Sequence, residues 1–369
     1  MKIPFFNYPA VYLSHKDSID KAIDKVINKG AYILQKELED FESALSKYCG
    51  VKHAIGVANG TDAIWLSLMA AKIGEGDEVI VPSHTYVASP ASIKFVKAIP
   101  VLVECGYDNM MDCDKIEEAI TDKTKAIMPV QLNGRTCNMD KISKIADKYS
   151  LIIVEDSAQG LGSKFKNKMA GTFGIAGTYS FYPAKVLGCF GDGGAVVTND
   201  DKIAETIFLL RDHGRDSNGE FKTWGVNSRL DNLQAAILLE KLKTFNEDID
   251  YRRNIAEIYH SEIRTGENIS LPPGPFINEE HFDTFQNFEL RAQKRDDLKT
   301  FLSNNGIGTI IQWGGKAVHQ EQNLGLTNFD LPYTDSFFKE CLMLPMNTSI
   351  KNEEAAYISK KINEFYESN

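Results

Sequence analysis

The apolar run Leu151–Glu155 delivers Asp156, Ser157, Ala158 and Gln159, and twenty-nine positions beyond Asp156 the segment Ser180-Phe181-Tyr182-Pro183-Ala184 ends in Lys185. An acid at the carboxyl end of a buried parallel strand can hold a pyridine nitrogen protonated. A lysine on a following turn can form a Schiff base to an aldehyde on the same ring. One group supplies an electron sink and the other a covalent handle, which together are what pyridoxal phosphate chemistry requires.

Other residues fit around that pair. Asn59-Gly60-Thr61-Asp62-Ala63 follows a strand-like run and opens a helix, where unpaired N–H groups can hold a phosphate without a lysine; a plain helix cap by Asn59 or Thr61 is the simpler alternative. Tyr86, just past another strand, can stack on a flat heteroaromatic ring or serve as packing. His84 beside it reads as a hydrogen-bonded structural residue. Asp156 ends a strand so apolar that its carboxylate needs a partner, either a pyridine N–H or loop amides. Gln159 can steady a phenolic ring oxygen, and Ser180 can add a hydroxyl to the phosphate cup. An isolated lysine is normally a solvated surface residue, but Lys185 lies between a strand and Gly188, Gly191, Gly193 and Gly194. Beside a cationic cofactor in a desolvated pocket its protonated form is disfavoured, so it can act as nucleophile and proton carrier.

The elements that must position these residues follow from the apolar pattern. Seven candidate strands are expected at His53–Val57, Glu78–Pro82, Pro100–Glu104, Ala126–Val130, Leu151–Glu155, Gly177–Phe181 and Ala195–Thr198. Most are apolar on successive residues, as strands covered on both faces are. Helices are expected at Thr61–Lys72, Val87–Val96, Asp114–Ile120, Met139–Tyr149 and Lys202–Asp212, after an N-terminal helical region punctuated at Gly30 and near Gly50. The pattern predicts an α/β fold with a mainly parallel sheet. A long helix is expected from Leu230 to about Ile258, then a turn-rich break at Ser270–Pro275. Beyond it a smaller α+β unit should contain strands Phe285–Arg291 and Ile307–Gln312 and helices Arg295–Asn304 and Glu353–Glu367. The expected division is a large cofactor-binding domain over 1–245 and a small domain over 246–369.

At 369 residues the chain is long for one core, and 25% charged with 43% hydrophobic residues is ordinary for a globular protein. A net charge of −10 argues against a surface that tracks nucleic-acid phosphates, while leaving room for a small anion in a locally positive pocket. The six cysteines contain no CxxC pair, which disfavours a zinc cluster or a disulfide framework; no metal is expected. The amino terminus lacks the pattern of a signal peptide and no run of 18 apolar residues occurs, so a cytoplasmic protein without membrane partners is expected.

In order, NGTDA (59–63), PSHTY (82–86), EDSAQ (155–159), SFYPAKVLG (180–188), GDGGAV (191–196) and GVNSRLDNLQAAIL (225–238) resemble the DegT/StrS family of sugar-nucleotide aminotransferases. The resemblance covers roughly Ile33 to Leu242 and continues more weakly to the end. It implies the type I fold of pyridoxal-phosphate-dependent transferases, that of aspartate aminotransferase. It further implies that Lys185 carries the cofactor, Asp156 partners the pyridine nitrogen, Gln159 neighbours the ring oxygen, Tyr86 lies on the ring face, and Gly60, Thr61 and Ser180 hold the phosphate. Asn227 matches an asparagine that reaches the phosphate from the other subunit, so a homodimer is implied. Arg229 matches a residue near the substrate.

Three departures bear on specificity. Gln312-Trp313-Gly314-Gly315 stands where many relatives have a His-Tyr-Pro segment near the sugar, Gln35 where glycine is common, and Asn133 where an aromatic residue often precedes Gly134. Gln312 and Trp313 are therefore candidate substrate contacts. The implied reaction moves an amino group from L-glutamate to a keto-sugar nucleotide in amino-sugar biosynthesis for surface polysaccharide or glycoconjugate. The run 225–231 resembles enzymes acting on a 3-keto hexose linked to dTDP or UDP, with a 4-keto-6-deoxy sugar as the alternative. Lys185 argues against a related dehydratase, in which histidine replaces the lysine, and Gly160-Leu161-Gly162 comes too late after its strand for a dinucleotide fingerprint. A regulator that binds the cofactor without turnover is the alternative of another class.

Overall fold

The computed structural model describes residues 2–276 and 280–368. Its main sheet has seven strands: β1 (His53–Val57), β2 (Glu78–Pro82), β3 (Ile99–Val103), β4 (Thr124–Ile127), β5 (Ile152–Asp156), β6 (Ala176–Ser180) and β7 (Gly194–Thr198), in the order β1-β7-β6-β5-β4-β2-β3. Neighbours from β6 to β3 are parallel, whereas β7 runs antiparallel to both β6 and β1. The strands that deliver NGTDA, PSHTY, EDSAQ and the lysine segment therefore end at one edge, and β7 enters there through Gly193 and Gly194. The approach is close. A Cβ on Gly194 would lie 2.4 Å from the Asn59 carbonyl group, so only glycine lets β7 start between the ends of β1 and β6.

Helices cover both faces, among them Gly60–Ala70, Ala88–Phe95, Met139–Tyr149 and Asp201–Leu210, and the apolar cores lie against the sheet. Gly30 and Gly50 close N-terminal helices in left-handed conformations, as expected of helix C-caps. A second sheet is antiparallel, with β8 (Ile269–Ser270), β9 (Phe288–Ala292) and β10 (Cys341–Leu344), packed by helices Phe245–Glu262, Arg295–Asn304 and Asn352–Glu367.

Four expectations need correction. The single helix over 230–258 is two, Asn232–Leu242 and Phe245–Glu262, because Thr244 leaves helical geometry at φ −111°, ψ 10°. Asp114–Ile120 forms two short 3-10 turns instead of an α-helix. Ile307–Gln312 makes only isolated bridges, Ile307 to Ile3 and Ile310 to Met343, and the strand beside β9 is β10 instead. Ala126–Val130 lies two residues early as β4, since Pro129 has no N–H to continue a ladder.

Candidate active site

The edge where β1, β2, β5 and β6 end opens into a cavity of about 750 Å³. Gly60, Thr61, Tyr86, Asp156, Gln159, Ser180 and Lys185 all line it, as do Gln312 and Trp313. Two expected site residues do not. Asn227 is exposed, bridged to Asp212 outside the cavity, in the segment that also exposes Phe221 and Trp224. Arg229, expected near the substrate, donates from Nη1 to Asp212 Oδ1 at 2.8 Å and is not among the residues that line this cavity.

At the phosphate end, the Asn59 side chain accepts the Asp62 N–H at 2.8 Å and its carbonyl accepts that of Ala63 at 3.1 Å. The N–H groups of Gly60 and Thr61 have no acceptor among the described residues. Capping thus takes the amides of Asp62 and Ala63 and leaves those of Gly60 and Thr61 available for a ligand. A Cβ on Gly60 would meet Ser180 Cβ at 2.7 Å, so glycine is what lets the Ser180 hydroxyl close the same cup.

Asp156, at the end of β5, is buried and accepts from Ser89 Oγ at 2.6 Å and from the Ala158 N–H at 3.1 Å. Burial raises its pKa, against the opposing pull of those two hydrogen bonds and the charge of Lys185. Lys185 makes no side-chain hydrogen bond to any described residue. Burial brings its amine down to about 8, with Asp156 pulling the other way. Gln286 clamps the turn that carries it: its Nε2 donates to the Ala184 carbonyl at 2.8 Å and its Oε1 accepts the Val186 N–H at 2.7 Å. Gln159 Oε1 accepts the Asn133 N–H at 2.8 Å.

On the open side, the rings of Tyr86 and Trp313 lie 6.3 Å apart, tilted by 42°. Trp313 and Gly314 have φ of 46° and 71°, and this turn swings the indole toward the cavity. Gln312 is buried, yet neither amide atom has a partner among the described residues. Ser89, Gln286 and Asn287 were not found from sequence. Ser89 sits on a helix as an ordinary small residue, and Gln286 and Asn287 follow a break with no motif around them.

A family model, DegT/DnrJ/EryC1/StrS aminotransferase family, matches residues 14–363. The chain belongs to that family. Among its relatives, the dTDP-3-amino-3,6-dideoxy-alpha-D-galactopyranose transaminase of Aneurinibacillus thermoaerophilus is 39% identical over 98% of this chain and 99% of its own. A pleiotropic regulatory protein of Geobacillus stearothermophilus is 37% identical over 99% of both. The crystal structure of S. venezuelae DesV in complex with a ketimine intermediate superposes with a TM-score of 0.95 at 37% identity, covering 99% of each chain. The fold is that of the DegT-type aminotransferases, the type I transferase fold, and the chain is an aminotransferase of this family.

Proposed function

We propose that this aminotransferase moves an amino group from L-glutamate to the ketone of a 3-keto hexose linked to dTDP or UDP, with pyridoxal 5'-phosphate held in the cavity. The observation that carries this reading is that Lys185, an amine with no hydrogen bond to any described residue, and Asp156, a buried acid, line one cavity. The residues fit the group. Gly60, Thr61 and Ser180 would hold its phosphate, Asp156 would partner the pyridine nitrogen, Gln159 the ring oxygen and Tyr86 the ring face. When bound, the cofactor supplies an aldehyde that condenses with amines and a pyridinium ring that draws electrons from a carbanion.

The protein does the rest. Asp156 would keep the pyridine nitrogen protonated through a charge-assisted hydrogen bond at the buried end of β5. An amine lowered to about 8 has a neutral fraction near neutral pH, so Lys185 would be able to take the α-carbon proton of the donor and pass it on within the first half-reaction, and to deliver a proton to the sugar carbon in the second. Trp313, Gln312 and Tyr86 border the space left for the sugar. Exposure of Phe221, Trp224 and Asn227 supports a homodimer in which Asn227 reaches the partner's phosphate site. Asn227→Ala should then loosen cofactor retention, measured by dialysis, and unchanged retention would count against a shared site. Six buried, unbridged cysteines support a reducing, cytoplasmic setting. Among the described residues no helix is long and apolar enough to cross a membrane.

The 3-keto assignment draws on the 225–231 run and on the named 3-amino-sugar transaminase relative. The regulatory relative favours a second reading, a sensor that binds cofactor without turnover. One experiment separates them: glutamate is supplied with 3-keto and 4-keto hexoses on dTDP and UDP, and 2-oxoglutarate and amino sugar are followed by mass spectrometry. Turnover on a 3-keto sugar is expected. Turnover on a 4-keto sugar alone would move the ketone, and none with any acceptor would favour the sensor.

A further inference from the structure

Behind Gln159 a run of side-chain amides leads away from the cavity to a buried ion pair. Gln159 Oε1 accepts from the Asn133 N–H at 2.8 Å and from Asn287 Nδ2 at 3.3 Å. Asn287 Nδ2 also donates to Asn133 Oδ1 at 2.8 Å, and Asn133 Nδ2 donates to Glu289 Oε2 at 2.7 Å. Glu289 Oε2 lies 3.3 Å from His84 Nε2, with both side chains fully buried. His84 Nδ1 is 2.9 Å from the Asn109 carbonyl oxygen, which can only accept, so Nδ1 carries a hydrogen. Were Nε2 bare, its lone pair would face a carboxylate in a dry interior. A second proton on the imidazole removes that conflict.

We infer that Asn133 and the Glu289–His84 pair are positioning residues that fix the orientation of the Gln159 amide, so that its Nε2 is held toward the cavity as a donor to the ring oxygen of the cofactor. A primary amide can turn over at little cost unless its neighbours forbid it. Here each amide is oriented by the next, and the last partner is a carboxylate, which accepts only. Glu289 fixes Asn133, Asn133 fixes Asn287, and both asparagines then present hydrogens to Gln159 Oε1. The backbone helps. Asn133 sits at φ 55°, a left-handed conformation that asparagine tolerates, and this brings its N–H to Gln159 while its side chain reaches back to Glu289. The environment of His84 agrees: burial alone would lower its pKa, but Glu289 and Cys105 raise it to about 10. Cys341 also faces Glu289.

The inference rests on a pyridoxal cofactor in this cavity, and its test separates the two. A donor to the ring oxygen stabilises the form that has lost the proton shared between that oxygen and the lysine-linked nitrogen. Losing the donor should therefore move the pH midpoint of the lysine-linked absorption band upward. Asn133→Gly keeps the left-handed backbone and its N–H but removes the side chain. Glu289→Leu removes the anchor, and Glu289→Gln keeps an acceptor for Asn133. Asp62, Asp156, Lys185 and Asp192, the charged groups on the cavity wall, are the same in all three. An upward shift of roughly half a pH unit is expected in Asn133→Gly and Glu289→Leu, part of the size of one hydrogen bond to a charged oxygen because the Asn133 N–H still holds Gln159 Oε1, with the midpoint restored in Glu289→Gln. Should Asn133→Gly and Glu289→Leu not fold, Asn287→Leu removes the second donor to Gln159 and should show the same shift. Borohydride that labels Lys185 in every protein while the midpoint stays fixed overturns the positioning role alone. Failure to label Lys185 in the unaltered protein overturns the cofactor reading and this inference with it.

Discussion

Glu155 and Asp156 are consecutive residues of β5, so their side chains leave the strand toward opposite faces. Glu155 is fully buried and accepts four hydrogen bonds, from Gln131 Nε2 at 2.8 Å and from the N–H groups of Gly171, Phe173 and Gly174 at 2.7, 2.6 and 3.0 Å. Asp156 accepts two and faces the cavity. Burial raises the pKa of both. The lysines make a similar pair: Lys185 and Lys241 are each lowered to about 8 by burial, yet Lys241 donates to the Gly188 carbonyl and Lys185 donates to no described residue. What distinguishes the cavity-facing member of each pair is hydrogen-bonding capacity left over after the fold has taken its share. Burial and a displaced pKa mark all four.

If that is right, removing the functional member should abolish chemistry and spare the fold. For Lys185→Ala the expected result is a fall in turnover of about a thousandfold or more, with the lysine-linked band lost and thermal stability of the cofactor-free protein kept. Asp156→Asn comes next, with a drop of roughly a hundredfold in kcat and an unchanged urea midpoint. Glu155→Gln reverses the pattern: two backbone donors lose their acceptor, costing about 2–4 kcal/mol in urea unfolding, while kcat of the folded enzyme holds. A Glu155→Gln protein as stable as its parent, or an Asp156→Asn protein as active, would erase the distinction.

The smallest effect is expected at Lys241. Both lysines bind their protons less tightly in the fold, near pH 8, than at their ordinary value of 10.5. Between those values the unfolded chain holds more protons, so stability of the cofactor-free protein should rise as pH climbs from about 8 toward 10.5. Lys241→Met should flatten part of that rise without altering borohydride labelling of Lys185, as denaturation at a series of pH values would show.

Much of this site was legible because its residues sit directly after strands whose apolar runs are unambiguous. Asp156, Lys185, Tyr86 and the Gly60–Thr61 pair are placed by β5, β6, β2 and β1, and each reaches the cavity. Elements without such punctuation were harder. The apolar run of β10 follows Phe337 and Phe338 of the preceding helix with only Lys339 and Glu340 between, so periodicity cannot separate strand from helix there. The break between helices at Thr244 did carry a sign, Thr244 followed three residues later by Glu247, the spacing of a capping box, but the apolar spacing runs straight through it. The ion pair of Arg229 with Asp212 could not be read from the sequence, because they stand seventeen positions apart with no pattern that brings the two together. Asn133 and Glu289 stand 156 positions apart, and only the folded chain brings their side chains together.

Because β7 enters between the ends of β1 and β6, the start of the Asn59–Thr61 turn and the strand that leads to Lys185 share a wall with no room for even a methyl group at Gly194. The spacing between anion cup and amine is thus fixed by a vacancy in the polypeptide. An engineer who keeps every chemical group and fills that gap would be expected to detune the catalyst all the same.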